Sequence, residues 1–269
     1  MEQQSPPSRP ATADGDVDVP AFDFRLSVIT MQNFTFDREH TISDQALAKQ
    51  FLHHLLFCTP LLLTVPLIYI LAFNALGHGN LGVGPFCLGL LGWSVALVLR
   101  APLALLTVRF THRLRELVVV AMSGPAEELV RLLAVLFLQA NFASAVSLGL
   151  GWATIEVVYA LISGFGTVII LSQGGAGAWQ LKKRFMDTGL TVPATVYSGI
   201  IERLSATALH IGFTLLLAYH PLLILITLPL HSLVNVGAIS LNPRSALATQ
   251  TLIAFFGTTT LLIGIKLFL

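Results

Sequence analysis

The sequence predicts an all-α protein, a polytopic transmembrane helix bundle of about seven spans built around a four-helix polar-cored unit. Three observations carry this reading. Hydrophobic residues make up 55% of the 269 residues and charged residues only 11%, where a soluble domain carries about 25%. The apolar residues gather into runs near the ~20 residues that cross a bilayer. Ionisable residues then recur inside four of those runs, where lipid offers no hydrogen-bond partner.

In chain order, residues 1–54 read as a polar, largely disordered tail on the cytoplasmic side. The opening stretch to about residue 24 is rich in Pro, Ser and Asp and has almost nothing to bury. It shows no charged start followed by an apolar run, so no signal peptide is expected. Ser43-Asp44 reads as the cap of a short amphipathic helix with Leu47, Phe51, Leu52 and Leu55, running straight into the first span. Asn33-Phe34-Thr35 is a glycosylation triplet by pattern, and the orientation derived below argues against its use.

The bundle occupies 55–269, with spans at about 55–75, 81–99, 115–139, 144–171, 194–219, 221–239 and 248–268. The sixth is short and 101–110 is apolar enough for a re-entrant piece, which leaves six or eight crossings as alternatives. The connection 172–193 is too polar to span, and its glycines read as a flexible loop. Cys58 and Cys87 both lie in apolar stretches and read as buried packing residues. The net charge of +1 gives no reason to expect a nucleic-acid partner.

Positive charge sets the expected orientation. With seven spans, the loops on the N-terminal side hold Arg100, Arg109, Arg113, Arg115, Lys182, Lys183, Arg184 and Arg244. The opposite loops hold no Lys or Arg, and only Lys266 near the C-terminus departs. Positive loops stay cytoplasmic, so the N-terminus is expected in the cytoplasm. The long polar tail hints at an internal membrane such as the endoplasmic reticulum.

A charged side chain at mid-bilayer costs at least ~2.5–3.5 kcal/mol on the insertion scale. The third span nevertheless holds Glu127, Glu128 and Arg131, the fourth Glu156, the fifth Glu202, Arg203 and His210, and the sixth His231 and Asn235. Arg131 follows Glu127 by four residues and Glu128 by three, so one guanidinium reaches either carboxylate. Arg203, Thr207 and His210 form one polar stripe, and Trp152, Glu156, Tyr159 and Ser163 another. The core set Glu127, Glu128, Arg131, Glu156, His210, His231 and Asn235 is therefore expected at overlapping depths, facing inward. Four carboxylates against Arg131 and Arg203 leave an excess of negative charge, so a Glu is expected to be protonated or a His charged. Plain alternatives stand beside this. The Glu127-Glu128-Arg131 group reads equally as a structural ion pair, and Glu202-Arg203 better as one near the interface. Trp152 and Tyr159 read as packing, and Gly149, Gly151 and Gly164 as close helix contacts.

These motifs resemble the glutamic-type intramembrane protease superfamily, which joins the type II CAAX prenyl endopeptidases, the PrsW proteases, the YhfC-like proteins and the anterior-pharynx-defective subunit of gamma-secretase. Glu127-Glu128-x-x-Arg131 matches its first element, Trp152-x-x-x-Glu156 its second with Trp for the usual Phe, and His231-x-x-x-Asn235 its third. GLGWATIE at 149–156 and IIERLSATALHI at 200–211 are most similar to the YhfC-like branch, from which Trp152 departs in place of a His. The similarity covers roughly residues 115–240.

The resemblance implies a hydrolase, an intramembrane endopeptidase using a glutamate-activated water. Glu127 or Glu128 would activate the water and Arg131 hold the other carboxylate. His231 and Asn235 would bind the oxyanion, and His210 and Glu156 orient water or shuttle protons. No metal or cofactor is required. A zinc site stays the lesser alternative, because Glu and His ligate zinc but no HExxH occurs. The expected partners are membrane lipid, a transmembrane or lipidated peptide substrate, and other membrane subunits. The resemblance equally allows a non-catalytic scaffold that keeps the polar core for packing. Transport is the weaker third class, since no inverted pair of broken helices is visible.

Overall fold

The computed structural model describes residues 43–78, 80–187, 196–241 and 245–269. The expectations for the N-terminal tail up to residue 42, for Asn33 and for Arg244 lie outside them. Among the described residues there is no strand. The helices are α1 (Asp44–Ala75), α2 (Val83–Leu106), α3 (His112–Ala121), α4 (Ser123–Leu138), α5 (Phe142–Gln173), α6 (Gly175–Asp187), α7 (Val196–Tyr219), α8 (Ile224–Leu241) and α9 (Ala246–Phe268). A 3-10 turn, Pro221–Leu223, leads into α8. Among the described residues, α1, α2, α5, α7, α8 with its turn, and α9 are the six helices long and apolar enough to cross a bilayer. The chain is an integral, multi-pass membrane protein.

Local chemistry sets the helix ends. Ser43 caps α1 by accepting from the Ala46 N–H, as its position ahead of Asp44 suggests. The helix then runs unbroken through positions 54 and 55 into the membrane segment. Asn141 and Ser245 cap α5 and α9 in the same way. α4 stops at Gln139, whose φ of 47° is left-handed, and α5 stops at Gly174, with φ of 68°.

The structure departs from the sequence reading at four places. The third span, expected as one run over 115–139, is two helices that meet at Met122. Pro125 has no N–H to give the carbonyl four residues back, that of Ala121, and this carbonyl instead accepts from Ser232 Oγ of α8 at 2.7 Å. With 16 residues and three charged groups, α4 falls short of a spanning helix by itself. The stretch 172–193, expected as a flexible loop, contains helix α6, which buries Ala178 and Phe185 against Leu47, Phe51 and Leu171. Arg100, expected in a loop, lies inside α2 and is buried. Cys58 is buried as expected, whereas Cys87 is exposed on the outer surface of α2.

α7 is the central post. Of its apolar window 78% is buried, against 22–33% in the other five candidate spans. It packs on α1, α4, α5 and α9, while α2, α4 and α8 sit side by side in that order. Gly82 N bonds Ser147 Oγ at 3.0 Å, and Trp93 meets Tyr159 farther along, so α2 and α5 run parallel. Together α3 and α4 carry the chain back from the end of α2 to the start of α5. Glycine sets the α2–α5 contact. A Cβ at Gly151 would lie 2.0 Å from the Phe86 carbonyl oxygen, and one at Gly89 2.1 Å from that of Leu148.

That contact gives a stability prediction. Gly151→Val should destabilise the protein by about 1–3 kcal/mol, because rigid backbone stands where the side chain must go. Gly84→Ala, with nothing within 4 Å of the new carbon, should leave stability unchanged or slightly raised. Thermal unfolding in detergent, read by thiol-reactive dye at buried Cys58 in a Cys87→Ser background, checks both.

Candidate functional site

The break at Met122 does more than bend the chain. Gly124 lets α8 approach so closely that a Cβ there would be 2.3 Å from Ser232 Oγ. Ser123 Oγ accepts from Asn235 Nδ2 at 2.7 Å and donates to the Val120 carbonyl at 2.6 Å. The segment Ser123-Gly124-Pro125 therefore fixes the register of α8 against α4. One turn before Asn235, that register brings His231 Nδ1 to 2.8 Å from Glu128 Oε1.

Arg131 is fully buried at the centre. Its Nε donates to Glu128 Oε1 at 3.2 Å, and its Nη1 to the His210 carbonyl and Thr214 Oγ1, both at 3.0 Å. Its Nη2 lies 3.0 Å from His210 Nδ1 and 3.9 Å from Glu127 Oε2. The guanidinium also sits over the Trp152 ring at 4.3 Å. One side chain of α4 thus binds α5 and α7.

The same contacts assign the His210 tautomer. Arginine only donates, so His210 Nδ1 accepts and the ring proton lies on Nε2. That nitrogen faces Glu156 Oε2 at 2.5 Å. Glu156 Oε1 accepts from Arg203 at 2.6 Å, and Arg203 also holds Glu202 at 2.6 Å. A continuous polar chain therefore runs Glu202, Arg203, Glu156, His210, Arg131, Glu128, His231. Glu202 and Arg203 are joined to the site rather than forming a separate interfacial pair.

Glu127 turns the other way. Arg100 of α2 donates to its Oε1, and Trp152 Nε1 donates to its Oε2 at 3.0 Å. His231 Nε2 stands 3.8 Å from the same Oε2. Arg100 and Trp152 are the functional groups that sequence reasoning missed or undervalued. Trp152, which the sequence presents as a packing residue, is a buried donor to a carboxylate. Arg100 directly follows the second apolar run and therefore looks like a loop charge. The apolar run Ala101-Pro102-Leu103-Ala104-Leu105-Leu106 after it is the signal that it lies within a helix.

Of the seven expected site residues, Glu127, Glu128, Arg131, Glu156, His210 and His231 form one buried network, with the two histidine rings 5.8 Å apart. Asn235 is buried beside them, with Nδ2 donating to Ser123 Oγ. At ~1.5 Å per residue, Glu127, Trp152, His210 and His231 lie roughly 10–16 Å from the end of the bundle where α4 stops and α5 starts. That is near the middle of a ~30 Å hydrocarbon layer. With Arg100 included, Glu127, Glu128, Glu156 and Glu202 face three arginines, and one negative charge stays in excess when both histidines are neutral. His231 faces two carboxylates, with Nδ1 2.8 Å from Glu128 Oε1 and Nε2 3.8 Å from Glu127 Oε2. Among the described residues, two buried polar atoms in this region have no partner, Glu128 Oε2 and Arg100 Nε. Among the described residues no group of three or more His, Cys, Asp or Glu is disposed to hold a metal ion.

No protein-family model, curated protein or solved structure matches this chain.

The network predicts unequal costs of mutation. Arg131→Ala should destabilise the protein by about 3–5 kcal/mol, because it strands buried carboxylates. Arg131→Lys should recover only part of this, since an ammonium cannot reproduce the forked contacts to Glu128 and α7. Unfolding in mixed micelles compares the two directly.

Proposed function

We propose that the chain is an intramembrane endopeptidase that hydrolyses a peptide bond with a glutamate-activated water. The observation that carries the reading is the buried Glu128 Oε2, which has no partner among the described residues while Oε1 of the same carboxylate is held by Arg131 and His231. A carboxylate fixed by one oxygen with the other unengaged is suited to take a proton from a water held beside it. Glu127 has both oxygens engaged, so the base in this reading is Glu128, and Glu127 anchors Arg100 and Trp152.

The step balances simply. Water oxygen attacks the scissile carbonyl carbon as its proton passes to Glu128 Oε2. His231 Nε2–H and the neighbouring cations stabilise the oxyanion. Collapse breaks the C–N bond, and Glu128 returns its proton to the leaving amine. His210 and Glu156 keep Arg131 oriented. Asn235 acts through Ser123 on the placing of α8 rather than on the oxyanion. The mid-membrane depth suits a transmembrane or lipidated peptide substrate. The resemblance of the three motifs to glutamic-type intramembrane proteases supports the same chemistry.

A second reading has its own observation. Arg131 is completely buried and its donors are engaged, so the network also suits a scaffold that uses polar contacts to hold helices for a partner subunit. The positive-charge asymmetry supports a cytoplasmic side for the α1 start and α6, and the long polar tail an internal membrane such as the endoplasmic reticulum.

Two experiments decide. Purified wild type should cleave membrane-embedded peptides, and Glu128→Gln should lose at least about 10²-fold in turnover while remaining folded. Equal turnover in both would remove Glu128 as the base, and no turnover by wild type over a broad peptide set would favour the scaffold. For orientation, a single cysteine at exposed Gln180, in a chain lacking Cys58 and Cys87, should label only from the cytoplasmic face of sealed membranes. Labelling only from the other face would reverse the assignment.

A further inference from the structure

α6 is unused by the chemistry proposed above, and its position is defined by three features. Gly174 and Gly175 take φ of 68° and 73°, which turns the chain sharply out of α5. Phe185 stacks on Phe51 of α1 with ring centroids 5.7 Å apart, and Lys182 pairs with Asp44 at the start of α1. α6 is therefore pinned to the first turns of α1, not free beside them.

The surface of α1 shows where those turns lie relative to lipid. Gln45, Lys49, Gln50 and His53 are its exposed polar side chains on one side of a boundary, and Leu56 and Phe57, 54% and 62% exposed, follow on the other. Hydrocarbon thus begins near residue 56. α6 docks against Leu47 and Phe51, which are five to nine residues, or roughly 7–13 Å, beyond that boundary. The headgroup layer is about 5–8 Å deep on each side. Phe185, stacked on Phe51 about 7 Å beyond the boundary, marks the edge of α6 that falls within it.

The outward face of α6 carries Trp179, 61% exposed, with Lys183 one turn on and its Nζ 5.3 Å above the ring. An exposed indole is poorly suited to bulk water and well suited to the membrane interface. Lys183, two residues before Phe185, is within a side chain's reach of lipid phosphate. We propose that α6 is a surface-lying helix that holds the phosphate of an anionic phospholipid, with Lys183 as its charge and Trp179 as the acyl-side anchor. Lys182 keeps the helix in place through Asp44.

Tryptophan quenching in the full-length protein tests this, because Trp93 and Trp152 are buried at 2% and 0% exposure. The protein is placed in phosphatidylcholine nanodiscs with trace brominated phosphatidylserine or brominated phosphatidylcholine. A Trp179→Phe variant supplies the background to subtract. Brominated phosphatidylserine should quench Trp179 with a preference of about fivefold, the contribution of one lysine near an anionic surface. Lys183→Gln should bring the two lipids to parity. Equal quenching by both lipids in the wild type, or a preference that survives Lys183→Gln, would overturn the proposal. So would loss of the preference to millimolar inorganic phosphate, which would make the site one for a free anion.

Discussion

A guanidinium with no access to solvent is the constraint around which this bundle is arranged. Arg131 cannot shed its charge, and burying it unpaired would cost more than most domains can spare. Its position is tolerable only because α5 supplies an aromatic face, α7 a carbonyl, a hydroxyl and an imidazole nitrogen, and α4 itself a carboxylate. Those requirements fix the rotation of three helices about their axes. They also dictate the protonation pattern of His210, and through it the contact to Glu156 and Arg203.

The two adjacent glutamates then separate in role because successive helical residues point about 100° apart. Glu127 looks toward α2 and α5, where Arg100 and Trp152 saturate it. Glu128 looks toward α8, where one of its oxygens meets His231 and the other has no partner among the described residues. The division depends on how α8 is seated. A proline that cannot donate, a glycine without Cβ and a serine that both accepts and donates hold α8 at the register in which His231 meets Glu128.

Much of this was legible in the sequence because helical periodicity is rigid. Spacings of three and four put Glu127, Glu128 and Arg131 on one patch, and a polar residue in an apolar run must face inward. His210, Glu156 and His231 followed from the same rule. Periodicity along one helix says nothing about which rotamer crosses to the next, so the turning of Asn235 to Ser123 and the donation from Trp152 were not visible. Arg100 was lost to a span boundary drawn at residue 99, where an Arg looks like a flanking charge. α6 was lost because its glycines and lysines dominate its composition, although Ala178 and Phe185 lie seven residues apart on one face.

The central position of α7 bears on how such a chain enters a membrane. Among the candidate spans it is the least apolar, and it carries Glu202, Arg203 and His210. Alone in hydrocarbon it would expose three groups with few partners. α4 arrives with its own counter-ion, since Arg131 reaches Glu128 within one turn, and α5 brings Glu156. Both precede α7 in the chain. Synthesis from the N-terminus therefore assembles the receptors for its polar groups before the helix that needs them emerges, and α7 is inserted into a polar socket rather than into lipid.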